Sequence, residues 1–423
     1  MTDVWTWPAR IGVLLGTGLF LALLIPILVL QVRRYGATSP ARLLGAAALA
    51  VYGTALVAYT LLPLPSGDLA AWCSQHGYDV AQLRPLQIVA DIRERTAGLS
   101  LGATLRDISV LQGVFNVVLF VPWGILVRRY LGWGLFASAA SALGASLLIE
   151  VTQLTGIFGL IPCSYRLADV DDLLTNTLGG VLGALVAPWV LRWMPGARTL
   201  AAGRGTPRPV TLWRRLFGMA VDYLAYTALG GVLALTIGLG YYLLTGRAAA
   251  DSLAVWLGTS GLAWVLVFLL PLVTGSGESL GQRTVWLAVV PAAGEGDGDA
   301  GRDGHAGGDG RARLAPSARL RRGLAGGALW GLLQALSDAA TMFDVGALAP
   351  AQGLATTVAT VLVLAVLFTR DRRGLSGKVA PYRLVDARTL APAGPAGPTG
   401  PASQAGPAGP ARQARARRSR PSR

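Results

Sequence analysis

The chain is poor in the side chains that carry most soluble-enzyme chemistry. In 423 residues it has two histidines, two cysteines and a single lysine, Lys378. His76 and His305 fall in different loops, so no Ser-His-Asp arrangement supports a hydrolase. Cys73 and Cys163 stand far apart without neighbouring histidines, which removes a zinc site of the usual spacing. No metal site and no cofactor are expected. Charge is scarce as well: 14% of residues are charged and 53% hydrophobic, with a mean hydropathy of +0.51. An ordinary soluble globular protein is thereby excluded. The start of the chain lacks the pattern of a cleavable leader. Asp3 and Arg10 precede an apolar run over 11–32 that is long enough to span a bilayer, so it reads as a retained first helix.

What is present is apolar length. A hydrocarbon core needs about 20 apolar residues per helix. Stretches near 11–32, 42–64, 108–127, 131–150, 172–194, 215–244, 252–274, 324–343 and 350–369 meet that need. The expected fold class is therefore all-α, a polytopic helical membrane protein with about nine transmembrane helices. Ser337, Asp338 and Asp344 interrupt the eighth span, and the sixth is long enough to tilt. Arginine alternates between loops. Arg33, Arg34 and Arg42, then Arg128 and Arg129, then Arg192 to Arg215, and then Arg311 to Arg322 mark the odd-numbered loops, and the tail is basic throughout. The positive-inside rule then puts the N-terminus out and the C-terminus in, in a multi-pass protein of the plasma membrane. Cys73 and Cys163 both fall outside, where an oxidising compartment permits a disulfide; two unrelated thiols are the alternative. Arginine in place of lysine, with abundant alanine and glycine, points to a GC-rich genome such as that of an actinobacterium.

Ionisable residues at membrane depth mark functional sites by default, and one polar island stands out. Glu150 and Gln153 end the fourth span; Arg166, Asp169, Asp171, Asp172 and Asn176 lead into the fifth. On a helix Asp169, Asp172 and Asn176 share one face, as Glu150 and Gln153 do at the end of the preceding span. Asn116 adds an amide in the third span, with Phe120 and Gly124 at helical spacing and Pro122 expected to perturb the helix. Gly179 and Gly183 form a small-xxx-small pair suited to close helix packing. Three roles fit the island: binding a cationic or hydrogen-bonding part of an amphiphile, acid–base work centred on Glu150, or a structural network in which Arg166 pairs with Asp169 or Asp172. A divalent ion on the carboxylates is a lesser alternative, with no diagnostic ligand spacing.

Four segments together resemble the VanZ-like family: Tyr59-Thr-Leu-Leu-Pro63, Asn116-Val-Val-Leu-Phe-Val-Pro-Trp-Gly124, Ser146-Leu-Leu-Ile-Glu-Val-Thr-Gln153, and Arg166-Leu-Ala-Asp-Val-Asp-Asp-Leu-Leu-Thr-Asn-Thr-Leu-Gly179. The resemblance covers roughly 45–190. It implies an integral membrane module associated, in the name-giving member, with low-level resistance to the glycopeptide teicoplanin.

The second half carries Arg215 at the entrance of the sixth span and Asp222 two turns in. With Gly277-Glu-Ser-Leu-Gly-Gln-Arg283 these residues resemble the RDD family over about 208–385. Where that family closes with a second aspartate, this chain has Leu375-Ser-Gly377, with Asp371 out of register. The resemblance implies an ion-transport candidate at Arg215 and Asp222; the alternative is that Asp222 pairs with Arg215 or a neighbouring helix and fixes packing.

The expected organisation is a VanZ-like module of about five spans over 1–194, a Gly/Pro/Arg-rich linker over 195–209, and an RDD-like module of about four spans over 210–385. A flexible insert at 292–310 and a disordered basic tail at 386–423 complete it. Calcium is not expected on the insert's Asp/Gly pattern, because EF-hand spacing is absent. The tail's arginines suit anionic lipid, and no nucleic acid is expected. The expected function is an envelope factor, a binder rather than an enzyme, that engages a lipid-linked envelope precursor or an amphiphilic antibiotic at the outer acidic site. A cation/proton antiporter using Asp222 and a membrane scaffold are the alternatives. Asp222-dependent flux in vesicles separates the first from the envelope reading, and deletion of 391–423 tests the second.

Overall fold

The computed structural model describes residues 3–78, 81–249, 251–274, 277–292, 314–369, 372–380 and 382–390. His305, Asp371, nearly all of the 292–310 insert and the tail from 391 onward lie outside the described residues. The fold is 74% helical, and the sheet among the described residues has two strands, so the all-α expectation holds. The chain runs α1 (Asp3–Ala22), α2 (Leu24–Tyr35), α3 (Pro40–Leu61), α4 (Leu69–His76), α5 (Gln87–Thr96), α6 (Ile108–Leu131), α7 (Leu135–Leu154), α8 (Val170–Val190), α9 (Leu212–Thr245), α10 (Leu253–Val273), α11 (Pro316–Leu324), α12 (Gly327–Phe343) and α13 (Ala351–Phe368). Strand β1 (Leu287–Pro291) precedes α11, and β2 (Tyr382–Asp386) follows α13.

Among the described residues seven helices are long and apolar enough to cross a membrane, or eight if a bent pair counts as one span. The expected nine is therefore corrected at two places. The first span breaks by 57° between α1 and α2. Pro26 explains the break, because it supplies no N–H for the Ala22 carbonyl one turn back. The eighth, α12, has only 17 residues. By contrast α9, with 34 residues, is about 51 Å long at 1.5 Å per residue and outruns a hydrocarbon core of about 30 Å.

In the first bundle α6 and α8 make the closest pair. Side chains at Gly179 and Gly183 would strike the carbonyls of Val117 and Val121, and one at Gly124 would strike that of Gly180. Glycine at these positions lets the backbones touch, the packing that bilayers favour. α6 runs through Pro122 and then widens into π-helical turns over Leu126–Leu131. Leu56, Phe120 and Ala142 knit α3, α6 and α7, while α1 lies antiparallel on α3, with Thr54 donating to the Gly12 carbonyl at 2.7 Å.

The second bundle packs α9, α10, α12 and α13 around Tyr226, Ala263, Val267, Phe268, Trp330 and Ala355. The two bundles meet through α2, whose Leu28 and Val32 pack on Phe217, Val285 and Leu287. The linker is fastened as well: the Arg208 amide donates to Asp386 at 3.0 Å, and Arg388 donates to the Arg204 carbonyl at 2.7 Å. Residues 386–390, expected to open the disordered tail, instead end β2 and form a 3-10 turn.

Candidate functional site

The polar island gathers at the end of the first bundle opposite Arg42, Arg128 and Arg129. Asp169 caps α8, its carboxylate accepting the Asp171 amide at 2.8 Å, which satisfies an N–H the helix leaves unpaired. The last turn of α7 brings Glu150 alongside, and Glu150 Oε2 accepts the Asp169 amide at 3.0 Å. Glu150 thus meets the start of α8 through a backbone amide. Burial pushes the Asp169 carboxyl above the usual carboxylate range, and the charges of Asp171 and Asp91 add to it against the hydrogen bonds from the Asp171 amide and Gln82.

Two loops enclose this end. The segment between α3 and α6 folds back, so that Gln82 exchanges backbone bonds with Ala168 and Val170 and donates to Asp169 at 3.2 Å. Asp171, 1% exposed, accepts the amides of Leu86 at 2.5 Å and Ile88 at 2.7 Å and thereby holds the start of α5. Cys73 and Cys163 form a disulfide with a Cα–Cα distance of 5.8 Å, tying α4 to the loop before α8.

Deeper between the helices, Asp172 Oδ1 accepts Asn116 Nδ2 at 2.6 Å, and Asn176 Nδ2 donates to the Ser146 hydroxyl at 2.9 Å. Ser146 reaches on to the Asp172 carbonyl at 3.4 Å. Asn176 Oδ1 is buried without a donor among the described residues.

Gln153 and Arg166 turn away from the acids. Gln153 donates to the Thr60 carbonyl at 2.7 Å and Arg166 to the Leu62 carbonyl at 2.6 Å. The expected pairing of Arg166 with Asp169 or Asp172 is therefore replaced by a clamp on the end of α3. No cation lies at ion-pair distance from Glu150, Asp169 or Asp172 among the described residues. Also among those residues, no group of three or more His, Cys, Asp or Glu side chains is placed to hold a metal ion. Asp171 belongs to the expected island and Ser146 opens one of the family-like segments, but neither is among the expected ligand contacts, and Gln82 carried no sequence signal.

Arg215 and Asp222 lie in the second bundle, away from this site. Asp222 Oδ1 accepts the Gly281 amide at 2.6 Å, and Arg215 Nε donates to the Arg372 carbonyl at 3.1 Å. Asp222 thus binds the 277–284 turn rather than forming an ion pair with Arg215. Both line a cavity of about 480 Å³ together with Arg322 and Gln282, two residues the sequence reading did not mark as a site.

Residues 49–192 match the family described as VanZ/LLP1, and this segment contains every residue of the acidic site. Among curated proteins none matches, and no solved structure does. The match ends at residue 192, and no family match supports the RDD resemblance expected over 208–385.

Proposed function

We propose that the first bundle is an envelope-associated binding module whose acidic end faces outward. It engages the hydrogen-bond-donating or cationic head of an amphiphile, either a lipid-linked envelope precursor or an amphiphilic antibiotic of the teicoplanin type. The observation that carries this reading is the gathering of acceptors. The carboxylates of Glu150 and Asp172 come from facing helices, and Asn176 Oδ1 is buried with no donor among the described residues. Buried acceptors left unpaired are costly, and a ligand supplying N–H or O–H groups recovers that cost. Gln82, Asp171, Gln153, Arg166 and the Cys73–Cys163 bridge build the frame, and Glu150, Asp172, Asn176 and Asn116 meet the ligand. The family match supports an envelope setting. Asp169, already capping α8, gives the acidic field rather than a contact.

Native mass spectrometry of the full chain, purified from cells grown with and without teicoplanin, tests this. The wild type is expected to carry an amphiphile adduct that Glu150→Gln and Asp172→Asn lose. Adducts of equal mass and occupancy in all three proteins would contradict the reading.

A further inference from the structure

The cavity beneath the second bundle has a composition that the acidic site does not share. Of its lining side chains Arg215, Arg322 and Arg373 are cations and Asp222 is the one acid. Arg322 is 6% exposed, yet no carboxylate is paired with it among the described residues. Its Nη atoms donate to the Gly277 carbonyl at 2.5 Å and to Gln282 Oε1 at 2.6 Å, and its guanidinium lies 5.0 Å from the Tyr382 ring centre. Arg322 Nε is buried without a partner. Arg215 is equally buried, with one carbonyl as its acceptor. Two buried guanidinium groups are hydrogen-bonded by neutral oxygens and share the single Asp222 carboxylate of the lining, so cations outnumber acids there, and burying charge in that state is expensive.

The opposite wall is apolar. Phe268, Leu362, Val363 and Val366 close it, and Gly323, Gly326 and Gly327 at the α11–α12 junction line the cavity as well. Planar guanidinium forks match phosphate oxygens, and apolar helix faces match a hydrocarbon chain. We propose that this cavity binds an anionic amphiphile that ends in a phosphate monoester, the phosphate seated between Arg215 and Arg322 and the chain lying along α13. The lone Asp222, fixed by the Gly281 amide, works against that ligand and so moderates its affinity.

The test uses the full-length protein in dodecyl maltoside, followed by its intrinsic tryptophan melting curve during titration with dioctanoyl phosphatidic acid. Dioctanoyl phosphatidylcholine and inorganic phosphate are the comparison titrants. A saturable rise in Tm with phosphatidic acid, at least about tenfold tighter than with either comparison titrant, is expected. Arg322→Gln should weaken it by about tenfold or more, as loss of a charged hydrogen-bond donor does. Asp222→Asn keeps the acceptor for Gly281 and should tighten binding, a gain that misfolding does not imitate. Val363→Trp should weaken phosphatidic acid while leaving inorganic phosphate unchanged. Equal response to phosphatidylcholine, or a titration indifferent to both Arg322→Gln and Asp222→Asn, would overturn the proposal. Inorganic phosphate binding as tightly as phosphatidic acid would overturn the amphiphile in favour of a free anion.

Discussion

Glu150 Oε2 accepts the backbone amide of Asp169 at 3.0 Å, so the end of α7 holds the residue that caps α8. That carboxylate oxygen builds the site. Glu150→Gln preserves the acceptor and should leave thermal stability within about 1 kcal/mol of wild type. Glu150→Ala strands the amide and should cost about 2 kcal/mol. Detergent melting curves of the two variants separate the structural oxygen from the binding one.

Asp171 is the residue on which the enclosing loop depends. Its two amide bonds are charge-assisted and buried, so Asp171→Ala should destabilise the loop by roughly 3 kcal/mol. Limited proteolysis should then cut between residues 62 and 107, where the wild type resists.

The Cys73–Cys163 bridge closes a separation of 90 residues. On chain-entropy grounds its loss should cost about 4 kcal/mol. Non-reducing gels should show a mobility shift on adding reductant, absent in Cys73→Ser, and the reduced protein should melt lower.

Asp386 supplies a pH dependence at the other end of the molecule. Burial pushes its carboxyl up, but hydrogen bonds from Arg388 and the Arg208 amide, with the charge of Arg214, outweigh burial and hold it at about 2. Because the folded value lies below the unfolded one, the stabilisation is complete above about pH 4 and is lost as pH falls through about 2. Melting between pH 5 and pH 2.5 should fall more steeply in the wild type than in Asp386→Asn, by about 2 kcal/mol.

The spans were legible because hydrocarbon length is written directly in composition, and the acids of the island stood out against it. The network behind them was not. Gln82 and the amides that Asp171 holds belong to a loop without periodicity, and their positions depend on how that loop folds back. Arg166 looked like a partner for nearby acids, but the Leu62 carbonyl at the end of α3 offered an acceptor that no sequence spacing reveals. Strands β1 and β2 escaped because each has five residues and their partners lie far apart in the chain. Arg322 read as one more arginine of a basic loop; its burial depends on α11 folding under the second bundle.

The most direct measurement is the minimum inhibitory concentration of teicoplanin, with vancomycin as control, in a susceptible host expressing wild type or Glu150→Gln at equal levels. Selective protection by the wild type, lost in the variant, is the predicted result. A well-expressed wild type that protects no better than an empty vector, or a variant that protects equally, would contradict a ligand at the acidic site.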